Sequence, residues 1–78
     1  MREKELRTVI AFHTTTDAIA VESYCLSNGV PGRLIPLPTV ISAGCGLCWS
    51  APDEAGAAVA QAAEAVHVSP AGIYQLLL

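Results

Sequence analysis

"RLIPLPTVISAGCGLCWSAPD", residues 33–53, reads as strand, connection, strand and helix start, so two strands follow one another with no helix between them. Arg33 to Leu37 is the first of these strands. Pro36 and Pro38 have no N–H to donate to a ladder, which assigns it to a sheet edge. Thr39 to Gly46 is a connection containing glycines. "LCWSA", Leu47 to Ala51, is a short strand whose alternation sets Leu47 and Trp49 on one face and Cys48 and Ser50 on the other. Pro52 and Asp53 then open "PDEAGAAVAQAAEAV", a helix propagated by alanines with Gly56 as its weak spot.

Working outward, the same grammar completes the chain. "LRTVIAF", Leu6 to Phe12, is β-branched and apolar, the signature of a buried strand. "HTTTD" offers N-caps at Thr14, Thr15 and Thr16, with Asp17 in the first turn against the helix dipole. Ala18, Val21 and Cys25 share one face of this helix, with Tyr24 beside them. "SNG" closes it, Gly29 suiting a left-handed position just past its end and Pro31 following. "SPAG" ends the second helix, and "IYQLLL", Ile73 to Leu78, is the last strand. The order strand, helix, strand, strand, helix, strand predicts an α+β, ferredoxin-like βαββαβ sandwich. Its four-stranded antiparallel sheet carries two helices on one face. Residues 6–78 form this single domain and residues 1–5 an N-terminal tail. In that topology the second-to-third strand connection lies where the first strand exits, so Cys45 is expected near His13 and the first helix's N-terminus.

Composition narrows the function classes. A chain of 78 residues buries only about 60% of its unfolded surface, which permits one modest core. Hydrophobic residues at 53% against 14% charged suit a compact chain with some apolar surface left for a partner or second copy. The apolar last strand would allow a homodimer. A net charge of −3 leaves no basic stripe for a phosphate backbone, so no nucleic acid is expected. "MREKELRTVIAFH" has too short an apolar run for a signal-peptide core, and no stretch reaches a membrane span's length. The expectation is a cytoplasmic protein without a membrane partner.

Three cysteines cannot all pair within one chain, and a reducing compartment favours thiols, ligands or transient redox partners. Gly44 and Gly46 leave Cys45 on backbone without neighbouring side chains, where a large partner can reach its sulfur. Successive N–H groups in such a turn, together with a helix N-terminus, favour the thiolate. A plain glycine turn with a small residue in it is the competing reading. Cys48 could resolve a mixed disulfide or persulfide on Cys45, or serve only as a small apolar residue. A thioredoxin-type site is disfavoured because a strand and Pro52, not a helix start, follow the C-x-x-C pair. Zinc needs about four ligands, and one pair supplies two, so no metal or other cofactor is expected within one chain. A metal shared by two chains is the remaining version of that idea.

The other chemistry-bearing residues have ordinary roles available. Cys25 lies on the helix's apolar face, and Trp49 belongs to the core or an interface. His13 could tune Cys45 or bind a ligand, or simply set the helix start. His67 sits at the negative end of the second helix. Asp17, Glu22, Asp53, Glu54 and Glu64 read as caps and solvated faces. No carboxylate pair or serine–histidine–acid arrangement emerges, so no enzymatic centre is expected.

The run "VIAFHTTTDAIAVESYCLSNGVPGRLIPLPTVISAGCGLCWS" resembles the selenium/sulfur carrier protein-like family of small bacterial domains. The likeness is carried by "FHTTTDAIAVE", by "RLIPLP" with Pro36 and Pro38, and by Ser42 three residues before Cys45 and Gly46. It implies a ferredoxin-like fold and delivery of sulfur or selenium, with Cys45 carrying a persulfide or selenopersulfide between a donor and an acceptor protein. A cysteine desulfurase would be one such donor. Ser42, Gly44 and Gly46 would form the supporting loop, with His13, Thr14, Thr15 and Thr16 as neighbours. Cys48 falls where members often have alanine. Thr39 and Ser50 stand where members often carry basic residues. The chain shows neither a terminal diglycine nor a Cys-Pro-x-Pro motif, setting it apart from two other kinds of sulfur carrier. The alternative expectation is a non-catalytic ligand- or protein-binding regulatory module that grips its partner with the glycine loop.

Overall fold

A computed structural model describes residues 4–41 and 44–78. Its elements run β1 (Leu6–Ala11), α1 (Thr15–Ser27), β2 (Arg33–Pro36), β3 (Leu47–Pro52), a 3-10 turn (Asp53–Ala55), α2 (Gly56–Ala65) and β4 (Gly72–Leu77). The strands form one antiparallel sheet in the order β2-β3-β1-β4. This is the α+β, ferredoxin-like architecture expected from the order of elements.

The core lies between the helices and one sheet face. Ile10, Phe12, Trp49 and Ala51 from the central strands meet Ala18, Val21 and Cys25 of α1 and Val59, Ala62 and Ala63 of α2. Trp49 is fully buried and its indole N–H donates to the Pro31 carbonyl at 3.3 Å, so its one polar atom is satisfied. Gly32 is needed beneath it, because a Cβ there would run into the indole ring and the Ser50 carbonyl. On the opposite face Val9, Cys48 and Ile41 form a second buried cluster, flanked by Ile35, Leu37, Tyr74, Leu76 and Leu78. Ile41, from the β2–β3 connection, joins Val9 and Cys48 in this cluster on the sheet face away from the helices.

Local signals act where the sequence placed them, with adjusted boundaries. Thr14 is the N-cap of α1, its Oγ1 accepting from the Asp17 N–H at 3.0 Å. Gly29 takes a left-handed φ of 68° after the helix. The expected second helix over residues 52–66 divides into the 3-10 turn and the shorter α2. The division falls where α2 presses on β1: a Cβ on Gly56 would come within 2.7 Å of Thr8 Oγ1. Thr8 is buried, and its hydroxyl donates to Asp53 Oδ1 at 3.2 Å, which also accepts from Gln75 Nε2 at 2.8 Å. Asp53 thus ties β1, the helix entry and β4 together instead of lying on a solvated helix face.

At the end of α2, His67 adopts a φ of 58°, a left-handed conformation usually left to glycine. Its N–H donates to the Glu64 carbonyl at 3.1 Å, and the Val68 N–H donates to the Ala63 carbonyl at 2.9 Å. Two carbonyls at the helix end are thereby satisfied.

Candidate functional site

The ends of β1 and β3 set the geometry around Cys45. Ala11 pairs with Cys48, the last matched pair of that ladder. Phe12 follows Ala11, and its carbonyl accepts the Cys45 N–H at 2.8 Å. The turn before β3 is therefore stitched to the residue immediately preceding His13 and the start of α1. On the other side, the Leu37 N–H donates to the Gly46 carbonyl at 2.9 Å and closes the base of the β2–β3 connection. Cys45 sits between two anchored points.

Both flanking glycines have left-handed backbones, with φ of 71° at Gly44 and 88° at Gly46. Their constraints differ. A Cβ on Gly44 would fall on the Phe12 carbonyl, whereas one on Gly46 would meet nothing within 4 Å. Gly44 makes room for the β1 backbone, and Gly46 leaves open space beside the cysteine.

The three thiols occupy three environments. Cys25 is fully buried on α1, and burial pushes its thiol pKa up. Cys48 is also fully buried, in one cluster with Val9 and Ile41 on the sheet face away from the helices, with Sγ 3.8 Å from the Ile35 carbonyl and 4.0 Å from that of Pro36. Burial, and secondarily the charge of Cys45, pushes its pKa up to about 11. A neutral thiol is what that site accommodates. Cys45 is partly exposed and packs against the helix-side core, as Leu47 does. Cys45 and Cys48 thus attach to opposite sides of the sheet.

The remaining expected residues fall as follows. His13, Thr14, Thr15 and Thr16 are all exposed, and Thr14 alone among them makes a side-chain hydrogen bond among the described residues. The Cys45 backbone bonds to Phe12, the residue that precedes His13 in the chain. Ser42 lies outside the described residues. No cluster of three or more His, Cys, Asp and Glu suited to a metal ion occurs among the described residues. No helix is long and apolar enough to cross a membrane.

Sequence reasoning did not find the Phe12 carbonyl or Ile41. The Phe12 contact acts through backbone, which carries no residue-specific signal. Ile41 is, by residue type, one more apolar side chain in a connection. Ser50, by contrast, is buried, and its Oγ accepts from Arg7 Nε at 2.8 Å, with Arg33 opposite it on β2. Arginines from both neighbouring strands therefore flank the position.

Residues 7–75 match the family described as "Putative Se/S carrier protein-like". The chain belongs to that family. The match runs from β1 through most of β4 and includes the Cys45 turn and the Phe12 contact that anchors it. Comparison with curated proteins and with solved structures gives no match.

Proposed function

We propose that this family member is a carrier, not an enzyme, and that Cys45 Sγ is the atom that carries sulfur or selenium. The supporting observation is the contrast among the three thiols. Cys45 alone is partly exposed, on a turn held by the Phe12 carbonyl, while Cys25 and Cys48 are buried. The family's description points to the same cargo.

Loading is a two-electron exchange with a protein donor, such as a cysteine desulfurase bearing a persulfide. The Cys45 thiolate attacks the terminal sulfur of the donor persulfide and forms a new S–S bond. The donor's own S–S bond breaks, and its cysteine leaves as a thiolate with the bonding pair. The proton on the terminal sulfur stays with it, leaving Cys45–S–SH. In delivery an acceptor thiolate attacks that terminal sulfur and Cys45 departs as a thiolate. No external oxidant or reductant enters either step, and a terminal selenium follows the same course.

The open space beside Gly46 suits this chemistry, because donor and acceptor must each bring a sulfur within bonding distance of Cys45. Cys48 has no required part. Incubation with a desulfurase and cysteine, followed by intact-mass measurement, tests the assignment. Wild type and Cys48→Ala are expected to gain sulfur, and Cys45→Ala none. No addition to wild type, or equal addition to Cys45→Ala, would overturn it.

A further inference from the structure

The two sheet edges are protected very differently. The β2 edge carries Pro36, is followed by Pro38 and begins at the exposed Arg33, all features that discourage pairing with another strand. The β4 edge carries none of them: Gly72–Leu77 contains no proline and no charged residue.

The hydrogen-bond parity of β4 decides what that edge presents. The Leu78 and Glu5 backbones exchange both hydrogen bonds, and the Ala71 N–H donates to the Ala11 carbonyl. In the antiparallel register Arg7 faces Leu76, Val9 faces Tyr74 and Ala11 faces Gly72. Alternation from the Glu5–Leu78 pair therefore aims the backbones of Tyr74 and Leu76 at β1. The N–H and C=O groups of Ile73, Gln75 and Leu77 point outward, away from β1, and β4 is the edge strand, with no strand beyond it among the described residues. The same three side chains lie on the helix-side face, by their pairing with Ile10, Thr8 and Leu6. Ile73 is 55% and Leu77 64% exposed, and Leu6 of β1 beside Leu77 is 46% exposed. Ile73 also lines a groove of 260 Å³ against Ala60, Ala63, Glu64 and Val68.

We infer that this edge binds a second copy of the same chain, β4 against β4 about a two-fold axis at Gln75. An antiparallel pair centred there sets Gln75 against Gln75 of the other copy and Ile73 against Leu77. These are the residues with outward-facing backbone, so every free N–H and C=O on them finds a partner. The exposed apolar side chains then meet each other on the helix side, and Tyr74 lies opposite Leu76 on the other face. Charge agrees with the arrangement. Although the chain carries a net −3, the paired strands bring no like charges together. The two-fold turns the Glu64 end of one copy toward the end at which exposed Lys4 of the other enters β1. Centring the pair on Tyr74 would set Leu77 opposite Ala71, whose N–H is already bonded to the Ala11 carbonyl, and centring it on Leu76 would leave Ile73 beyond the paired stretch, so Gln75 is the centre that pairs all three outward-facing residues. The product is a continuous eight-stranded sheet with no bare apolar edge at its middle.

Sedimentation or native mass measurement over micromolar to millimolar concentrations tests this. Wild type is expected to dimerise. Gln75→Pro removes an outward N–H together with the side-chain bond to Asp53 while leaving the backbone ladder to β1 intact, and Ile73→Lys places a charge in the contact with the Asp53 bond kept. Each is expected to weaken dimerisation at least about tenfold, with circular dichroism showing a folded chain. Cys45→Ser is expected to dimerise as wild type does, which separates this surface from the thiol chemistry. In that background Gln75→Cys brings two thiols together at the axis, where Cα atoms of such a pair lie about 5.5 Å apart, and oxidation should link the copies. A strictly monomeric wild type, unchanged dimerisation in folded Gln75→Pro and Ile73→Lys, or cross-linking of Gln75→Cys no faster than of Val40→Cys would overturn the inference. A monomer that captures a strand from a different protein at this edge would overturn it equally.

Discussion

Gly44 and Gly46 flank the same cysteine, yet substitution by alanine tests two separate constraints. Both positions have positive φ, a conformation that costs an L-residue about 1–2 kcal/mol. At Gly46 that is the whole penalty, since the new methyl group meets open space. At Gly44 the methyl group also lands on the Phe12 carbonyl, so the turn must move and the Cys45 N–H bond is lost. Urea unfolding is therefore expected to show Gly46→Ala destabilised by about 1 kcal/mol and Gly44→Ala by at least about twice that. The persulfide assay should divide them further. Gly46→Ala narrows the approach to Cys45, whereas Gly44→Ala displaces the residue itself. Equal losses of stability would show that Phe12 does not constrain the turn.

The helices end with different chemistry, and that difference is measurable. Thr14 caps α1 through its hydroxyl, so Thr14→Ala should lose about 1 kcal/mol in thermal or urea unfolding. At the far end of α2 the left-handed position is filled by His67, where α1 has Gly29. The hydrogen bonds there use only backbone, so the imidazole can be removed without losing them. His67→Gly is expected to raise stability by about 0.5–1 kcal/mol, because relief of the strained conformation exceeds the added flexibility of the unfolded chain. A loss of stability would mean that the His67 side chain contributes a contact that compensates its backbone.

At the scale of the whole molecule, the sheet is a barrier between two thiol environments. Brief treatment of the folded protein with an alkylating agent should label Cys45, with Cys25 and Cys48 reacting only on unfolding, as peptide mass mapping would show. The buried thiols also couple stability to pH. The pKa of Cys48 rises to about 11, above the ordinary thiol value of about 8.5. Between these values the unfolded chain releases the proton first, while the folded chain retains it. The contribution is complete below the unfolded value and falls away as pH rises through the folded one, by on the order of 3 kcal/mol. Urea midpoints measured from pH 8 to 11 should therefore fall less steeply in Cys48→Val than in wild type. Cys25 shifts in the same direction and remains in both proteins. Parallel curves would show that Cys48 is not held neutral.

The order of elements, the edge position of β2, the capping of α1 and the alternation that separates Leu47 and Trp49 from Cys48 and Ser50 all follow from residue identity. Each rests on local chemistry: proline without an N–H, a hydroxyl at a helix start, or a strand's two-residue period. Tertiary structure decided what those residues meet. Ile41 shares a buried cluster with Cys48, Asp53 joins Thr8 to Gln75, and Gly44 yields space to the Phe12 carbonyl. None of these contacts leaves a local mark, because each joins groups distant in the chain and several act through backbone that every residue shares. The placement of the Cys45 turn beside β1 was accessible as topology, but its accessibility relative to Cys25 and Cys48 depends on which side of the sheet each sulfur occupies and on what covers it. That is a property of packing, which residue order alone does not encode.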